Sequence, residues 1–261
     1  FIHSGEDYEF LGAADFLSED KEEIDRKFHN NAAPNIRETL TLFYELDELL
    51  SLGPDLVVVN SDVKSHADCV CLLLERDFNV LVEKPMAFDF EDAKRMYRAA
   101  KRSSGELIIN WPIAWFPAFN KAKELADSGT VGEVLRVQYR SPSTRGPYRL
   151  DQFTPRQLSE MWWYKSDRGG GSIFDYAGYG CVLTTWITGK NAKRVSGIKK
   201  NFFLPFSDVE DYSCFTIDFG DAVGLIEGSW STMNNGQIAT GPVVYGREGV
   251  IVADRFDPVV K

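Results

Sequence analysis

Three short apolar runs, separated by segments with helical periodicity, restrict the fold more than any other feature of this chain. The runs are PDLVVVN (54–60), NVLVE (79–83) and ELIIN (106–110). Continuous apolar runs of this length are typical of strands that are buried on both faces of a parallel sheet. The segments 64–77 and 90–104 between them carry helix-type apolar faces. This alternation predicts an α/β domain with a doubly wound parallel sheet.

The second half of the chain has a different sequence pattern. Short strand-like segments alternate there with turns rich in Gly, Asp, Asn and Pro, and one long apolar helix is predicted at about Ser172 to Thr188. Such a pattern indicates an α+β domain built on an open, mainly antiparallel sheet. We therefore predict a parallel-sheet domain over residues 1–112 and an α+β domain over residues 113–261.

Composition excludes several classes of function. The 261 residues carry a formal net charge of -10 without a basic block, which argues against a nucleic-acid partner. No apolar run is long enough to span a bilayer, and the Cys and His residues lack metal-ligand spacing. We expect a cytoplasmic protein that acts on a small molecule and needs no metal.

Polar residues follow the predicted buried strands. They are Asn60 and Ser61 after the first run, Glu83-Lys84-Pro85 after the second, and Asn110 at the end of the third. Because ligands of open parallel sheets bind beyond the carboxyl ends of the strands, Lys84 is expected to project into a ligand-binding crevice.

The segment DRGGGSIFDYAGYG (167–180) is the second candidate site. Asp175 and Tyr179 lie four residues apart, so they share one face of the predicted helix. A carboxylate on a nearly uncharged helix needs a partner if it is buried, and Lys84 is a suitable one. A purely structural ion pair is the alternative interpretation.

In their order along the chain, SDVKSHAD, LVEKPMAFDFEDAKRM, NWPIAWFPAFNKAKELADSGTVGEV and GGGSIFDYAGYG resemble the Gfo/Idh/MocA family of nicotinamide-dependent oxidoreductases. The resemblance implies a Rossmann domain followed by a domain with an open sheet that pairs subunits, hence a homo-oligomer. It also implies NAD as the cofactor, with NADP as the alternative. The implied reaction is hydride transfer between the nicotinamide and a secondary alcohol of a sugar, polyol or sugar derivative.

The resemblance also suggests roles for individual residues. The catalytic group comprises Lys84, Asp175 and Tyr179. The residues expected near the cofactor are Asp15, Asn60, Ser61, His66, Glu83, Lys84 and Trp111. The chain's own pattern of aromatic and basic residues adds four candidates for substrate binding, Trp162, Trp163, Lys165 and Arg168, and leaves a carboxylated or phosphorylated sugar open.

Two features depart from the family pattern. Tyr179 stands where the family usually has a histidine, and a phenol is a weaker base than an imidazole near neutral pH. No Gly-x-Gly-x-x-Gly loop precedes Asp15, and SGEDYEFLGAAD resembles the second strand of a Rossmann unit. We therefore expect the first strand to be absent, leaving a gap within the sheet. The chain is then either an incomplete record of a longer protein, missing residues at both ends, or poorly stable alone.

Two other functions fit the same fold. One is a catalytically silent sensor of sugars or dinucleotides, which the missing histidine favours and the presence of Lys84 and Asp175 opposes. The other is an NAD-dependent glycosidase, in which transient oxidation assists cleavage of a glycosidic bond.

Overall fold

The computed structural model describes residues 11–14, 21–22, 24–26, 41–142, 153–231 and 240–254. In these residues the first half of the chain contains short parallel sheets with helices, and the second half contains a six-stranded mixed sheet. The predicted combination of a parallel α/β half and an α+β half with an open, mainly antiparallel sheet is thus confirmed.

The following strands and helices of the first half have bounds within the described residues. They are β1 Ala13–Ala14, β2 Leu42–Phe43, α1 Leu46–Leu50, β3 Val57–Val59, α2 His66–Leu74, β4 Val80–Glu83, α3 Phe90–Arg102 and β5 Leu107–Asn110. Strands β3, β4 and β5 pair in parallel, in that order. Their carboxyl ends consequently lie along one edge of the sheet, as the sequence predicts for the candidate site.

Strands β1 and β2 pair with each other in parallel and are not hydrogen-bonded to β3–β5 within the described residues. Within the described residues these strands form two separate sheets, and the gap expected within one sheet stays a prediction. Strand β3 is therefore an edge strand, and its Val58 is 49% exposed although its sequence is typical of a fully buried strand.

Helix α3 shows how local sequence sets an element of this half. Asp89 precedes the helix, and its carboxylate accepts a hydrogen bond from the backbone N–H of Asp92, which caps the first turn. Acidic residues in the first turn and basic residues in the last turn complement the helix dipole. The helix buries Met96 and Ala99 against the core formed by α2, β3 and β4.

The second half is built around the six-stranded sheet. Its elements are α4 Pro117–Asp127, β6 Val134–Pro142, α5 Pro155–Glu160, α6 Gly178–Thr188, β7 Arg194–Lys200, β8 Tyr212–Asp218, β9 Val223–Ser229, β10 Pro242–Gly246 and β11 Val250–Val252. The strand order is β11-β10-β6-β9-β8-β7, and only the central β6–β9 pair is parallel. A π-helical turn, Ile173–Ala177, leads into α6.

Helix α6 packs on one face of this sheet. An added Cβ at Gly180 would lie 2.6 Å from Ile226 of β9, so the small residue allows the helix to approach the sheet closely. Leu183 and Ile187 are buried in the same layer. Since side chains alternate along strands, Ile198, Val223 and Val250 lie on the opposite face, here called the outer face, and all three are exposed.

No helix among the described residues has the length and apolar character needed to cross a membrane.

The packing of α6 predicts a clear difference between two substitutions. Leu183→Ala removes a fully buried side chain and should lower the free energy of unfolding by about 2–5 kcal/mol. Val195→Ala, at an exposed position of β7, should change it by less than about 0.5 kcal/mol. Denaturant unfolding of the full-length protein measures both values, and equal effects would contradict this account of the core.

Candidate active site

A buried ion pair joins the two halves of the chain. Lys84, which follows the last residue of β4, donates from Nζ to Oδ1 of Asp175 at 2.9 Å and to the backbone oxygen of Asp175 at 3.4 Å. The two side chains are 12% and 11% exposed. The peptide bond between Lys84 and Pro85 is cis. Two groups that are 91 residues apart in sequence thus meet in one place.

Asp175 has a second hydrogen-bond donor. The indole Nε1 of Trp230 donates to Oδ2 of Asp175 at 3.0 Å, and this contact is buried. Both carboxylate oxygens are therefore hydrogen-bonded. The sequence analysis did not identify Trp230.

The triple-glycine loop directs the chain into the turn that carries Asp175. An added Cβ at Gly170 would lie 2.3 Å from the backbone oxygen of Trp163, and Gly171 has a φ of +106°. A Cβ at Gly171 would also lie 2.4 Å from Oε1 of Glu210. Backbone contact and a positive φ therefore require these glycines.

Glu210 holds the start of the same turn, and the sequence analysis missed it as well. Its Oε1 accepts from the backbone N–H of Ile173 at 2.9 Å, and its backbone oxygen accepts from Ser172 N–H at 3.1 Å. Its Oε2 lies 3.6 Å from Nζ of Lys199. Glu210 is buried, so these contacts fix the backbone directly before Asp175.

A small cleft opens beside the ion pair. Its lining residues come from the turn after β4, the aromatic segment and the glycine loop with the π-helical turn: Lys84, Pro85, Trp162, Trp163, Gly169, Phe174 and Asp175. The rings of Trp162 and Trp163 are stacked, with centroids 3.8 Å apart and planes 26° apart. The cleft thus combines one ion pair with several flat, apolar surfaces.

Tyr179 lies near the same ion pair. Nζ of Lys84 is 5.2 Å from the centroid of the Tyr179 ring, which places the amine over the ring. The ring of Trp111 meets that of Tyr179 edge-on at 5.6 Å. The structure therefore brings together Lys84, Asp175, Tyr179 and Trp111.

Other predicted cofactor residues lie at the carboxyl ends of the parallel strands. Nδ2 of Asn110 donates to Oε2 of Glu83 at 2.7 Å, which joins the ends of β4 and β5. Asn60 is exposed after β3, and Ser61 is half-buried beside it. Asp15, predicted at the adenosine ribose, lies outside the described residues.

His66 connects two of these strand ends. Its side chain is buried, with Nδ1 3.0 Å from the backbone oxygen of Pro85 and Nε2 3.1 Å from that of Ser61. His66 therefore contacts the predicted cofactor site through Ser61 and Pro85, and a direct cofactor contact stays a prediction.

Lys165 and Arg168, the predicted basic residues for substrate binding, are not among the described residues that line the cleft. Lys165 is half-buried and Arg168 is exposed, in the short turns that follow the tryptophan pair. Their role stays a prediction.

The described residues contain neither a cluster of metal-ligating side chains nor a reactive thiol beside the cleft. Cys181 lies nearest in sequence to the site, and burial raises the pKa of its thiol to about 11. A thiolate nucleophile is thus not available from α6 near neutral pH.

A parallel sheet whose strand ends face a cleft, followed by an α+β domain that supplies an acid to that cleft, is the arrangement of a two-domain oxidoreductase with a dinucleotide-binding domain. One family model, the Oxidoreductase family with an NAD-binding Rossmann fold, matches residues 1–110. A second, the GFO/IDH/MocA C-terminal domain, matches residues 119–252. The chain belongs to the Gfo/Idh/MocA family, as its motifs predict.

Individual relatives support the same assignment. The chain is 35% identical over 134 residues to a 1-carboxy-3-chloro-3,4-dihydroxycyclohexa-1,5-diene dehydrogenase from Comamonas testosteroni, covering 51% of this chain and 32% of that one. It is 30% identical over 91 residues to a myo-inositol 2-dehydrogenase from Thermotoga maritima, covering 34% and 27%. The chain thus spans about a third or less of the length of these relatives.

A solved structure shows the same fold. GenD2 from gentamicin A biosynthesis, in complex with NAD, superimposes with a TM-score of 0.73 at 24% identity, covering 94% of this chain and 65% of that one.

The bridging position of His66 leads to a stability prediction. His66→Leu removes the two ring nitrogens that contact the backbone oxygens of Ser61 and Pro85 and should lower the free energy of unfolding by about 1–3 kcal/mol. Asp68→Ala, at an exposed position of the same helix, is the control and should change it by less than about 1 kcal/mol. Chemical denaturation measures both, and a His66→Leu variant as stable as the wild type would contradict the bridging role.

Proposed function

We propose that this protein catalyses NAD(P)-dependent hydride transfer to or from a secondary alcohol carbon of a ring-shaped sugar or polyol. The observation that carries the proposal is the buried Lys84–Asp175 pair in a cleft at the carboxyl ends of a parallel sheet. Hydride transfer from an alcohol requires removal of the hydroxyl proton, so the site needs a group that exchanges protons and a positive charge near the oxygen. Lys84 supplies both.

The strand ends suit a nicotinamide dinucleotide. Asn60, Ser61 and Glu83 offer polar groups along one edge of the sheet, and Trp111 offers a flat face near Tyr179. When bound there, the nicotinamide supplies the hydride acceptor or donor. Asp15 is proposed to accept from the ribose 2′-hydroxyl, which favours NAD over NADP.

Lys84 exchanges the proton in this proposal. In alcohol oxidation, a neutral Lys84 amine takes the hydroxyl proton as the carbon loses a hydride, which gives a carbonyl product and an ammonium. In the reverse direction the ammonium returns its proton to the carbonyl oxygen as the carbon gains a hydride. Asp175 holds the amine in place through the 2.9 Å contact.

Tyr179 is the competing or cooperating proton acceptor. It belongs to the same cluster as Lys84, which the 5.2 Å distance from the amine to its ring supports. Because either group could accept the proton, variants at both positions are needed to assign the base.

The lining of the cleft favours a ring with an apolar face as substrate. Trp162, Trp163 and Phe174 present apolar faces that suit the C–H face of a ring. The cation in the lining, Lys84, is already paired with Asp175. The names of two relatives, a 1-carboxy-3-chloro-3,4-dihydroxycyclohexa-1,5-diene dehydrogenase and a myo-inositol 2-dehydrogenase, support cyclic vicinal diols and polyols, with and without a carboxyl group, as the compounds to test first.

Two substitutions at Lys84 test the function. Lys84→Met should lower kcat for NAD reduction by about 100-fold or more, because it removes both the proton carrier and the charge. Lys84→Arg should keep an ion pair with Asp175 but also lose turnover, since a guanidinium does not release its proton. Nicotinamide absorbance, followed with a panel of inositols, aldoses and cyclic diols, measures the rates.

Lys101→Met, at an exposed position of α3, is the matched control and should keep wild-type turnover. NAD binding by each variant is measured separately by titration. Near-normal turnover in Lys84→Met would contradict the assignment, whereas NAD binding without turnover in the wild type would favour the silent sensor.

The outer face of the sheet is proposed to pair two copies of this chain. Its exposed residues include Ile198, Val223 and Val250, which lie on three different strands on the side away from α6. The wild type should sediment as a dimer or larger species, and Ile198→Lys should shift it toward monomer. Val195→Lys, on the opposite face of the same strand, is the control. A monomeric wild type in sedimentation velocity would refute the proposal.

A further inference from the structure

The carboxylate of Asp175 is held from two sides by groups of different character. Oδ1 accepts from the charged amine of Lys84 at 2.9 Å, and Oδ2 accepts from the neutral indole N–H of Trp230 at 3.0 Å. A neutral donor fixes an oxygen without cancelling the negative charge. Trp230 therefore fixes the orientation of the Asp175 carboxylate, and Lys84 is the group that balances its negative charge.

Trp230 is itself firmly positioned. It follows the last residue of β9, and its backbone N–H donates to the backbone oxygen of Asp211 at 2.7 Å. Its side chain is 3% exposed and meets the ring of Tyr164 edge-on at 5.8 Å. Leu158, Leu204 and Val209 belong to the same buried cluster. A donor with so little freedom can set the position of its acceptor.

Asp211, whose backbone oxygen accepts from Trp230, is also held in place. The carboxylate of Asp211 is buried, and its two oxygens accept from the backbone N–H groups of Phe202 and Phe203 at 2.9 and 2.7 Å. The backbone oxygen of Asp211 is therefore fixed by a loop that does not line the cleft. This places the support for Asp175 in the core of the second half.

We propose that Trp230 is a positioning residue for the reaction, acting through Asp175 on Lys84. The inference rests on the proposed function, since it concerns the amine assigned to proton exchange. Without the indole N–H, Oδ2 would be a buried acceptor without its donor, and the carboxylate would rotate toward other donors. Lys84 would then lose its fixed place beside the reacting oxygen.

The contact can be tested without any turnover. The chain has six tryptophans, so a sample labelled with 15N at tryptophan should give six indole N–H resonances. The resonance that disappears in Trp230→Phe belongs to Trp230. In Asp175→Asn this resonance should move upfield, because a hydrogen bond to a carboxylate is stronger than one to an amide. The resonance of Trp186, which lies on α6, should not move.

Kinetics then tests the positioning role. Trp230→Phe keeps most of the ring volume and removes the N–H group, so kcat should fall about 10- to 100-fold while the cofactor Kd stays within about twofold. The loss should be non-additive: in an Asp175→Asn background, Trp230→Phe should have little further effect on kcat. Trp186→Phe is the matched control and should keep wild-type kcat.

Each outcome has one meaning. A Trp230 resonance unchanged in Asp175→Asn overturns the contact. A shifted resonance with wild-type kcat in Trp230→Phe overturns the positioning role. If Trp230→Phe lowers kcat by the same factor in the wild-type and Asp175→Asn backgrounds, its effect is purely structural, and the positioning role is overturned as well. If the wild type binds NAD but oxidises no polyol, the proposed function fails, and the resonance still decides whether Trp230 holds Asp175.

Discussion

The buried contact between Lys84 and Asp175 is the interaction on which the arrangement of the two halves at the cleft depends. Charged groups that are nearly excluded from water are costly to bury unless they are paired and hydrogen-bonded. Lys84 can leave solvent only because Asp175 comes from the other half of the chain to meet it, and the reverse holds for Asp175. Removing one partner of such a pair typically costs about 3–5 kcal/mol, whereas replacing both can cost little. A pair that could be replaced by apolar residues and yet occupies a cleft suggests a chemical role rather than a stabilising one.

The fold fixes each member of the pair by separate means. Lys84 follows the end of β4. His66 holds the same turn through its contact with the backbone oxygen of Pro85. Asp175 lies in a π-helical turn whose start is held by Glu210 and whose carboxylate is held by Trp230. Single-turn π-helices occur frequently at functional sites, since the wider turn changes the direction of its side chains. The backbone before and around both residues is thus determined by contacts outside the cleft, which leaves the cleft side of the pair available to a ligand.

Local sequence was enough to predict the parts of this site that depend on the backbone pattern. Apolar runs with polar residues at their ends predicted β3, β4 and β5 and the edge of the sheet to which Lys84 belongs. The i, i+4 spacing predicted that Asp175 and Tyr179 share one face.

The residues that support the site, Trp230 and Glu210, were not predictable in this way. Trp230 lies 55 residues from Asp175, directly after a strand with an ordinary apolar sequence, and the pairing of β8 with β9 places it beside the turn. Glu210 lies 37 residues from Ile173, and the residues beside it in sequence form no recognisable motif. The parallel pairing of β6 with β9 also depends on tertiary packing, since either strand alone would fit an antiparallel sheet.

The number of donors on Lys84 explains why a lysine suits this position better than an arginine. An ammonium has three N–H groups in a compact head, and two of them are accounted for by Oδ1 and the backbone oxygen of Asp175. In the proposed reaction the third position of the nitrogen remains for a substrate oxygen in the cleft. The amine can therefore exchange a proton with the hydroxyl while its other two N–H groups stay bonded to Asp175. An arginine would spread its donors over a larger plane and would keep its proton at any accessible pH. The geometry therefore favours a mechanism in which Asp175 and the substrate oxygen bind the same nitrogen simultaneously, and the hydrogen bonds to Asp175 persist in both protonation states of the amine.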